Sequence, residues 1–109
     1  MTELVDKYTY RISWSEQDKG FVGFCVEFRE LSCLATSAAV ALKEIRLLVR
    51  ERIEGLVALG EQAPEPLAAR QFSGRFLVRV PATVHRQLVM EAAEQGVSLN
   101  RIVSAKLSR

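Results

Sequence analysis

The chain has 109 residues, of which 49% are hydrophobic and 26% are charged, a balance that excludes an intrinsically disordered chain and fits one ordinary domain or two small ones. No apolar run reaches the roughly 18 residues that a membrane-spanning helix needs, and the N-terminus lacks the pattern of a signal peptide, so we expect a cytoplasmic protein without a membrane contact. The net charge of +2 is unevenly distributed, because residues 1–66 carry eight Lys and Arg against eleven Asp and Glu, whereas residues 67–109 carry seven against two. A basic C-terminal part indicates a nucleic-acid-binding end and a separate role for the rest.

The N-terminal part predicts an antiparallel sheet. Residues 7–14 alternate between apolar and polar side chains, which is the period of a half-buried strand. A polar turn ending in Gly20 separates them from residues 21–28, which predict a second strand and therefore a hairpin. One face of this second strand would carry Val22, Phe24, Val26 and Phe28. Residues 31–35 predict a short third strand.

A long helix follows the predicted sheet. Thr36 and Ser37 offer an N-cap hydroxyl, and Gly60 is a natural C-terminal stop. Apolar side chains recur between them at steps of three and four residues, as expected for a helix with one buried stripe. The predicted stripe comprises Ala38, Ala41, Leu42, Ile45, Leu48, Val49, Ile53, Leu56 and Val57.

Pro64 and Pro66 cannot continue a helix or a central strand. We therefore predict a first domain at residues 1–66, a linker at residues 67–71 and a second domain at residues 72–109.

The second domain has the order strand, helix, glycine turn, helix. Residues 74–81 alternate, with Phe76, Val78 and Val80 on one face, and end at a proline; a helix pattern then runs to Gly96, and Ser98 caps the next helix. A lone strand leaves both edges unpaired, and two short helices bury too little apolar surface to fold. Pairing the strand with the same strand of a second chain solves both problems and makes a ribbon that fits the major groove.

This segment resembles the ribbon-helix-helix repressors of the Arc and MetJ type, through the alternating strand that ends in proline, the helix running to Gly96, and the Gly-x-Ser-x-Asn stretch at residues 96–100. The resemblance implies an obligate dimer bound to operator DNA. It places Arg75, Leu77 and Arg79 against the bases, although the middle position is more often polar. It also places the backbone of Ser98, Leu99 and Asn100 near a phosphate.

Residues 10–66 resemble the N-terminal domain of HicB antitoxins. The resemblance is carried by YRISWSEQDKGFVGFCVEF, a Leu-Ser-x-Leu-Ala stretch, Thr36 before an alanine-rich helix, and the PEP segment. The predicted fold class is α+β: a partial RNase H fold with an antiparallel sheet and one long helix, then an intertwined ribbon-helix-helix. The resemblance implies a type II antitoxin that neutralises a HicA-like mRNA-cleaving toxin and represses its own operon, as a homodimer or a tetramer.

Candidate toxin contacts follow from charge, because HicA toxins are basic and an acidic surface would attract them. The candidates are Glu16, Asp18, Glu27 and Glu30, with Leu47 as a further contact because it lies off the buried stripe. The alternative for each of these acidic residues, which the pattern alone favours, is an ordinary solvated surface charge.

We expect no catalytic site, cofactor or metal site. The first strand lacks the carboxylate that RNase H chemistry requires, and the only histidine, His85, is predicted at the surface or in a dimer contact. Cys25 and Cys33 are predicted to be ordinary free thiols. Two other functions stay open: a stand-alone ribbon-helix-helix regulator with a ligand-sensing or orphaned N-terminal domain, and a small nuclease.

Overall fold

The structure, a computed structural model, describes residues 3–109. Over these residues it is an α+β protein with one three-stranded antiparallel sheet and three α-helices, one of them long. The contacts divide the chain into two compact units, with the boundary between Phe72 and Ser73. Within the described residues no helix is long and apolar enough to cross a membrane.

The sheet of the first unit has the strand order β1-β2-β3. The strands are β1 at Tyr10–Ser15, β2 at Gly20–Cys25 and β3 at Phe28–Ala35. Both neighbouring pairs are antiparallel, so the predicted hairpin is confirmed. A 3-10 turn at Leu4–Lys7 precedes β1 and is closed by reciprocal hydrogen bonds between Glu3 and Asp6.

The predicted strand boundaries were wrong at the start of β1, at the end of β2 and at the start of β3, which was predicted at residue 31. The first strand begins at Tyr10 rather than at residue 7, because Lys7 belongs to the 3-10 turn and Tyr8 and Thr9 connect this turn to the strand. The predicted second strand contains a tight turn at Val26 and Glu27, so that Phe28 begins β3. No Gly, Pro or Asn marks this turn in the sequence, which is why the alternation was extended through it.

The glycine at position 23 decides which side of the sheet faces the helix. A Cβ atom there would lie 3.0 Å from the Cys33 Sγ atom and 3.1 Å from the Ala41 carbonyl oxygen. The long helix therefore packs against the sheet where one side chain is absent. Val22 and Phe24 share the opposite face because side chains alternate along a strand, and Phe24 is exposed.

Helix α1 spans Ala38–Ala58. The Ser37 hydroxyl accepts a hydrogen bond from the Val40 amide at 3.2 Å, and Gly60 follows the helix with φ of 74°, so the predicted cap and stop are confirmed. Ala41, Ile45 and Val49 are fully buried, and partly buried residues flank them. The predicted stripe was wrong at Ala38, Leu42 and Val57, which are exposed, because a three-stranded sheet covers only a narrow side of the helix.

The residues after α1 pack on the first unit. The Tyr8 hydroxyl donates a hydrogen bond to the Pro64 carbonyl oxygen at 2.7 Å, and the Leu67 amide donates to the Glu27 carboxylate at 3.0 Å. Pro66 is buried. These contacts hold the start of the 3-10 turn Leu67–Ala69 against the sheet; the assignment of residues 67–71 as a linker remains a prediction.

The second unit contains helix α2 at Ala82–Gln95 and helix α3 at Leu99–Leu107. Gly96 ends α2 with φ of 65°, and the Ser98 hydroxyl accepts a hydrogen bond from the Arg101 amide at 3.1 Å. Both predicted helix boundaries are therefore confirmed. Within residues 73–109, all of which the structure describes, only Ala92 and Ile102 are buried.

The predicted third alternating segment is not a strand in the single chain. Residues 75–80, each described by the structure, form no hydrogen-bonded ladder, and every one of them is exposed. The physical reason is that a strand requires a neighbouring strand for its N–H and C=O groups, and the second unit supplies no such neighbour within one chain.

Candidate nucleic-acid interface and partner surfaces

An open apolar groove of about 750 Å³ runs along the second unit. Alternate residues of the extended segment line it, namely Phe76, Val78 and Val80. The helices complete it with Val84, His85, Leu88, Leu99, Val103 and Leu107. The groove is unfilled in the single chain, so the apolar side chains that the sequence assigned to a buried face remain in solvent, with Phe76 75% exposed.

The predicted base-reading residues alternate with these apolar residues along the extended segment. Arg75 is exposed, and Leu77 is 86% exposed, outside the groove. Arg79 is exposed and its side chain borders the groove. An exposed guanidinium can donate two parallel hydrogen bonds to guanine, and an exposed Leu can contact a thymine methyl group. These three assignments remain predictions.

The predicted phosphate-contacting residues lie at the start of α3. The Ser98 hydroxyl is engaged in capping the helix, which leaves its backbone as the group available to a phosphate. Asn100 is exposed on the first turn. Leu99 lines the groove with the apolar residues, which indicates a packing role for its side chain.

His85 lies on α2 and lines the groove together with the cationic side chains of Arg79 and Lys106. Lys106 forms an ion pair with Glu91 at 3.1 Å between the Nζ and Oε2 atoms. The backbone amide of His85 donates a hydrogen bond to the Pro81 carbonyl oxygen at 3.1 Å, whereas neither ring nitrogen has a hydrogen-bond partner among the described residues. The position agrees with a surface or contact residue.

Two of the predicted toxin contacts lie in the turn between β1 and β2. Glu16 forms an ion pair with Lys19, and its other oxygen accepts a hydrogen bond from the Trp14 indole at 2.8 Å. The hydrogen bond from Lys19, followed by that from Trp14, lowers the pKa of Glu16. Asp18 accepts a hydrogen bond from the Ser15 hydroxyl at 3.0 Å. Both carboxylates remain solvent-exposed but already have local partners.

The other two predicted toxin contacts are also engaged within the first unit. Glu30 forms an ion pair with Arg52 at 3.6 Å. Glu27 is half-buried in the turn after β2 and accepts hydrogen bonds from the Thr9 amide at 2.9 Å and the Thr9 hydroxyl at 3.2 Å, in addition to the one from Leu67. The structure therefore gives Glu27 an internal role that the sequence did not predict; its toxin contact stays untested.

The Glu27 carboxylate should contribute to stability only while it is ionised. Burial by itself would raise its pKa, but the hydrogen bonds donated by Thr9 and Leu67 outweigh burial and lower the pKa below the ordinary value of 4.5. A lowered pKa in the folded state means that the stabilisation is present above pH 4.5 and is lost as the pH falls through the folded-state pKa.

We expect Glu27→Ala to lower the free energy of unfolding at pH 7 by about 2 kcal/mol, because it removes the charged acceptor of the hydrogen bonds donated by Thr9 and Leu67. The difference from the wild type should shrink as the pH falls below 4.5. Urea unfolding at pH 7 and pH 3.5 measures both effects. Glu65→Ala removes the same charge from an exposed position and should change little; a loss in that control as large as for Glu27→Ala would contradict the internal role.

Cys25 and Cys33 are the two cysteines among residues 3–109. Cys25 is buried and Cys33 is half-buried, both are free as predicted, and the Cys33 Sγ atom lies 3.2 Å from the Ala41 carbonyl oxygen. Burial raises the pKa of both thiols, which disfavours the reactive thiolate. In the same range no three His, Cys, Asp or Glu side chains gather into a group that could hold a metal ion.

Comparison with known proteins points to one family. The sequence model of the HicB family matches residues 59–107, a little under half of the chain. The match supports membership of the HicB family. It covers the proline segment after α1, the extended segment and both helices of the second unit. It overlaps the sequence resemblance to HicB, which was given for residues 10–66, only in the proline segment, and the sheet and α1 lie outside it. A search of curated proteins and a search of solved structures each found no significant match.

Proposed function

We propose that this chain is a cytoplasmic antitoxin of a type II toxin-antitoxin system. Its first unit neutralises a HicA-like mRNA-cleaving toxin, and its second unit forms a ribbon-helix-helix dimer that represses the operon by binding operator DNA. The protein acts by binding, without a cofactor and without catalysis of its own. The match to the HicB family over residues 59–107 supports the antitoxin role.

One observation carries the DNA-binding half of this proposal. Residues 75–80 have no strand partner, and their alternate side chains line an open apolar groove. If the segment pairs with the same segment of a second chain, both sets of backbone groups gain hydrogen bonds and Phe76, Val78 and Val80 become buried. Burying each such side chain stabilises the dimer by roughly 1.5–3 kcal/mol. Six of these side chains are buried per dimer, which supplies the apolar burial that the second unit lacks in the single chain.

The charge distribution supports operator DNA as the ligand of that dimer. The second unit contains only Glu91 and Glu94 as acidic residues, against six Lys and Arg. A two-stranded ribbon would present Arg75, Leu77 and Arg79 from both chains on its outer face, which is of the right size for the major groove. Further contacts between first units would give a tetramer with two ribbons and multivalent binding to paired operator sites.

The antitoxin role is tested by co-expression. Cells that produce a HicA-like toxin should resume growth when this chain is produced, and the two purified proteins should form a stable complex in size-exclusion chromatography. Both experiments use the full-length chain. Absence of both rescue and complex formation would overturn the antitoxin function and favour a stand-alone regulator that binds DNA.

A further inference from the structure

The solvent side of α1 carries a row of side chains that the fold does not use. At 100° per residue, Val40, Leu47 and Glu54 lie opposite to the buried stripe of the helix. Glu44 and Glu51 lie beside them on one flank, and Lys43 and Arg50 lie on the other flank. The flank with the carboxylates, together with the central line, is formed by Val40, Glu44, Leu47, Glu51 and Glu54. We call these five residues the α1 outer face. We infer that this face docks a basic protein surface with an apolar socket, which, if the proposed function holds, is the toxin.

The first argument is that the carboxylates of this face are not neutralised by the chain. Among residues 3–109, Glu44, Glu51 and Glu54 form no ion pair. The arginines of α1 are directed elsewhere, since Arg46 pairs with Asp6, Arg50 with Glu3 and Arg52 with Glu30.

This arrangement concentrates negative charge on the α1 outer face. Arg50 and Lys43 border the face on the flank away from Glu44 and Glu51, and the charge of Arg50 is compensated by Glu3. By contrast, three of the four acidic residues predicted as toxin contacts have an ion pair or several internal hydrogen bonds. A basic partner therefore gains more from the α1 outer face than from those residues, because it does not have to break existing contacts.

The second argument is apolar. Leu47 is 53% exposed and Val40 is 41% exposed, and the two lie seven residues apart, which places them on one line along the helix axis. Exposed aliphatic side chains surrounded by charge are typical of an interface whose apolar centre excludes water while its rim sets orientation. Leu47 is the central anchor, with Glu44 and Glu51 one turn away on either side.

A second copy of this chain fits the face poorly. Antiparallel pairing of two α1 helices about Leu47 would bring Glu44 of one copy opposite Glu51 of the other, and like charges held together in an interface destabilise it. Nucleic acid is disfavoured for the same reason, because its phosphates would meet three carboxylates. A basic protein is the occupant that the charges favour.

The test compares two double charge reversals in the full-length protein. Glu51→Lys/Glu54→Lys inverts the α1 outer face, and Glu61→Lys/Glu65→Lys makes the same change in net charge at exposed positions outside α1. Leu47→Ala is a third variant without a charge change. The probe is a HicA-like toxin inactivated by replacement of its catalytic histidine, and the dissociation constant is measured by isothermal titration calorimetry. Circular dichroism and operator binding check that each variant is folded.

We expect Glu51→Lys/Glu54→Lys and Leu47→Ala each to weaken toxin binding by about 10-fold or more, whereas Glu61→Lys/Glu65→Lys binds within about 3-fold of the wild type. Equal binding by all variants would overturn the α1 outer face as the docking surface and leave the antitoxin function standing. Failure of the wild type to bind the toxin would overturn the antitoxin function and this inference together.

Discussion

Val78→Asp is expected to prevent dimerisation through the extended segment. The Val78 side chain lines the apolar groove of the second unit. In the proposed dimer, two carboxylates would be buried against apolar side chains, at a cost of several kcal/mol. We therefore expect the dissociation constant of the dimer to rise by at least about 1000-fold, which corresponds to a loss of about 4 kcal/mol in binding free energy. Operator binding, which needs both strands of the ribbon, should be lost with it.

Sedimentation of the second unit alone and of the full chain measures this effect. Leu77→Asp is the matched control, since it places the same side chain on the neighbouring residue, which is exposed and lies outside the groove. This control should remain dimeric even though it disturbs the DNA-facing side. If both variants dimerise like the wild type, the groove is not the dimer interface and the ribbon-helix-helix proposal is wrong.

Arg79→Ala is expected to abolish specific operator binding and to leave toxin neutralisation intact. A two-pronged arginine contact with guanine contributes about 1–3 kcal/mol of discrimination, and a dimer carries the residue twice. The expected loss is therefore about 100-fold or more in affinity for the operator, with a much smaller loss for unrelated DNA.

The control for this prediction is Arg109→Ala, which removes one positive charge from an exposed position in the same unit. It should weaken binding to operator and unrelated DNA by the same small factor, because a general reduction of positive charge carries no sequence information. Electrophoretic mobility shifts with operator and scrambled DNA separate the two effects. Wild-type operator affinity of Arg79→Ala would contradict the assignment of Arg79 as a base-reading residue.

The helices of this protein could be predicted closely from the sequence. Ser37, Gly96 and Ser98 mark helix ends where the structure has them, since a capping hydroxyl or a left-handed glycine acts through hydrogen bonds within one turn. The hairpin between β1 and β2 could be predicted because a polar turn separates two alternating segments that are neighbours in the sequence.

The sheet was predicted less well, because strand boundaries depend on neighbours that are distant in sequence. The turn at Val26 and Glu27 is held by the hydrogen bonds that Glu27 accepts from Thr9 and Leu67, and Leu67 is 40 residues away. Alternation along residues 21–28 could not indicate which face meets the helix, and the absence of a side chain at Gly23 decides it.

The sequence by itself determined the helix ends, the alternation of residues 74–80 and the separation of charge between the two ends of the chain, because these are properties of neighbouring residues. The tertiary structure decided which carboxylates are available to a partner. Glu16, Glu27 and Glu30 find partners within the first unit, whereas Glu44, Glu51 and Glu54 on α1 form no ion pair among the described residues. An ion pair depends on the positions of two side chains in space, so only the fold separates a charge that is already compensated from one that can attract a partner.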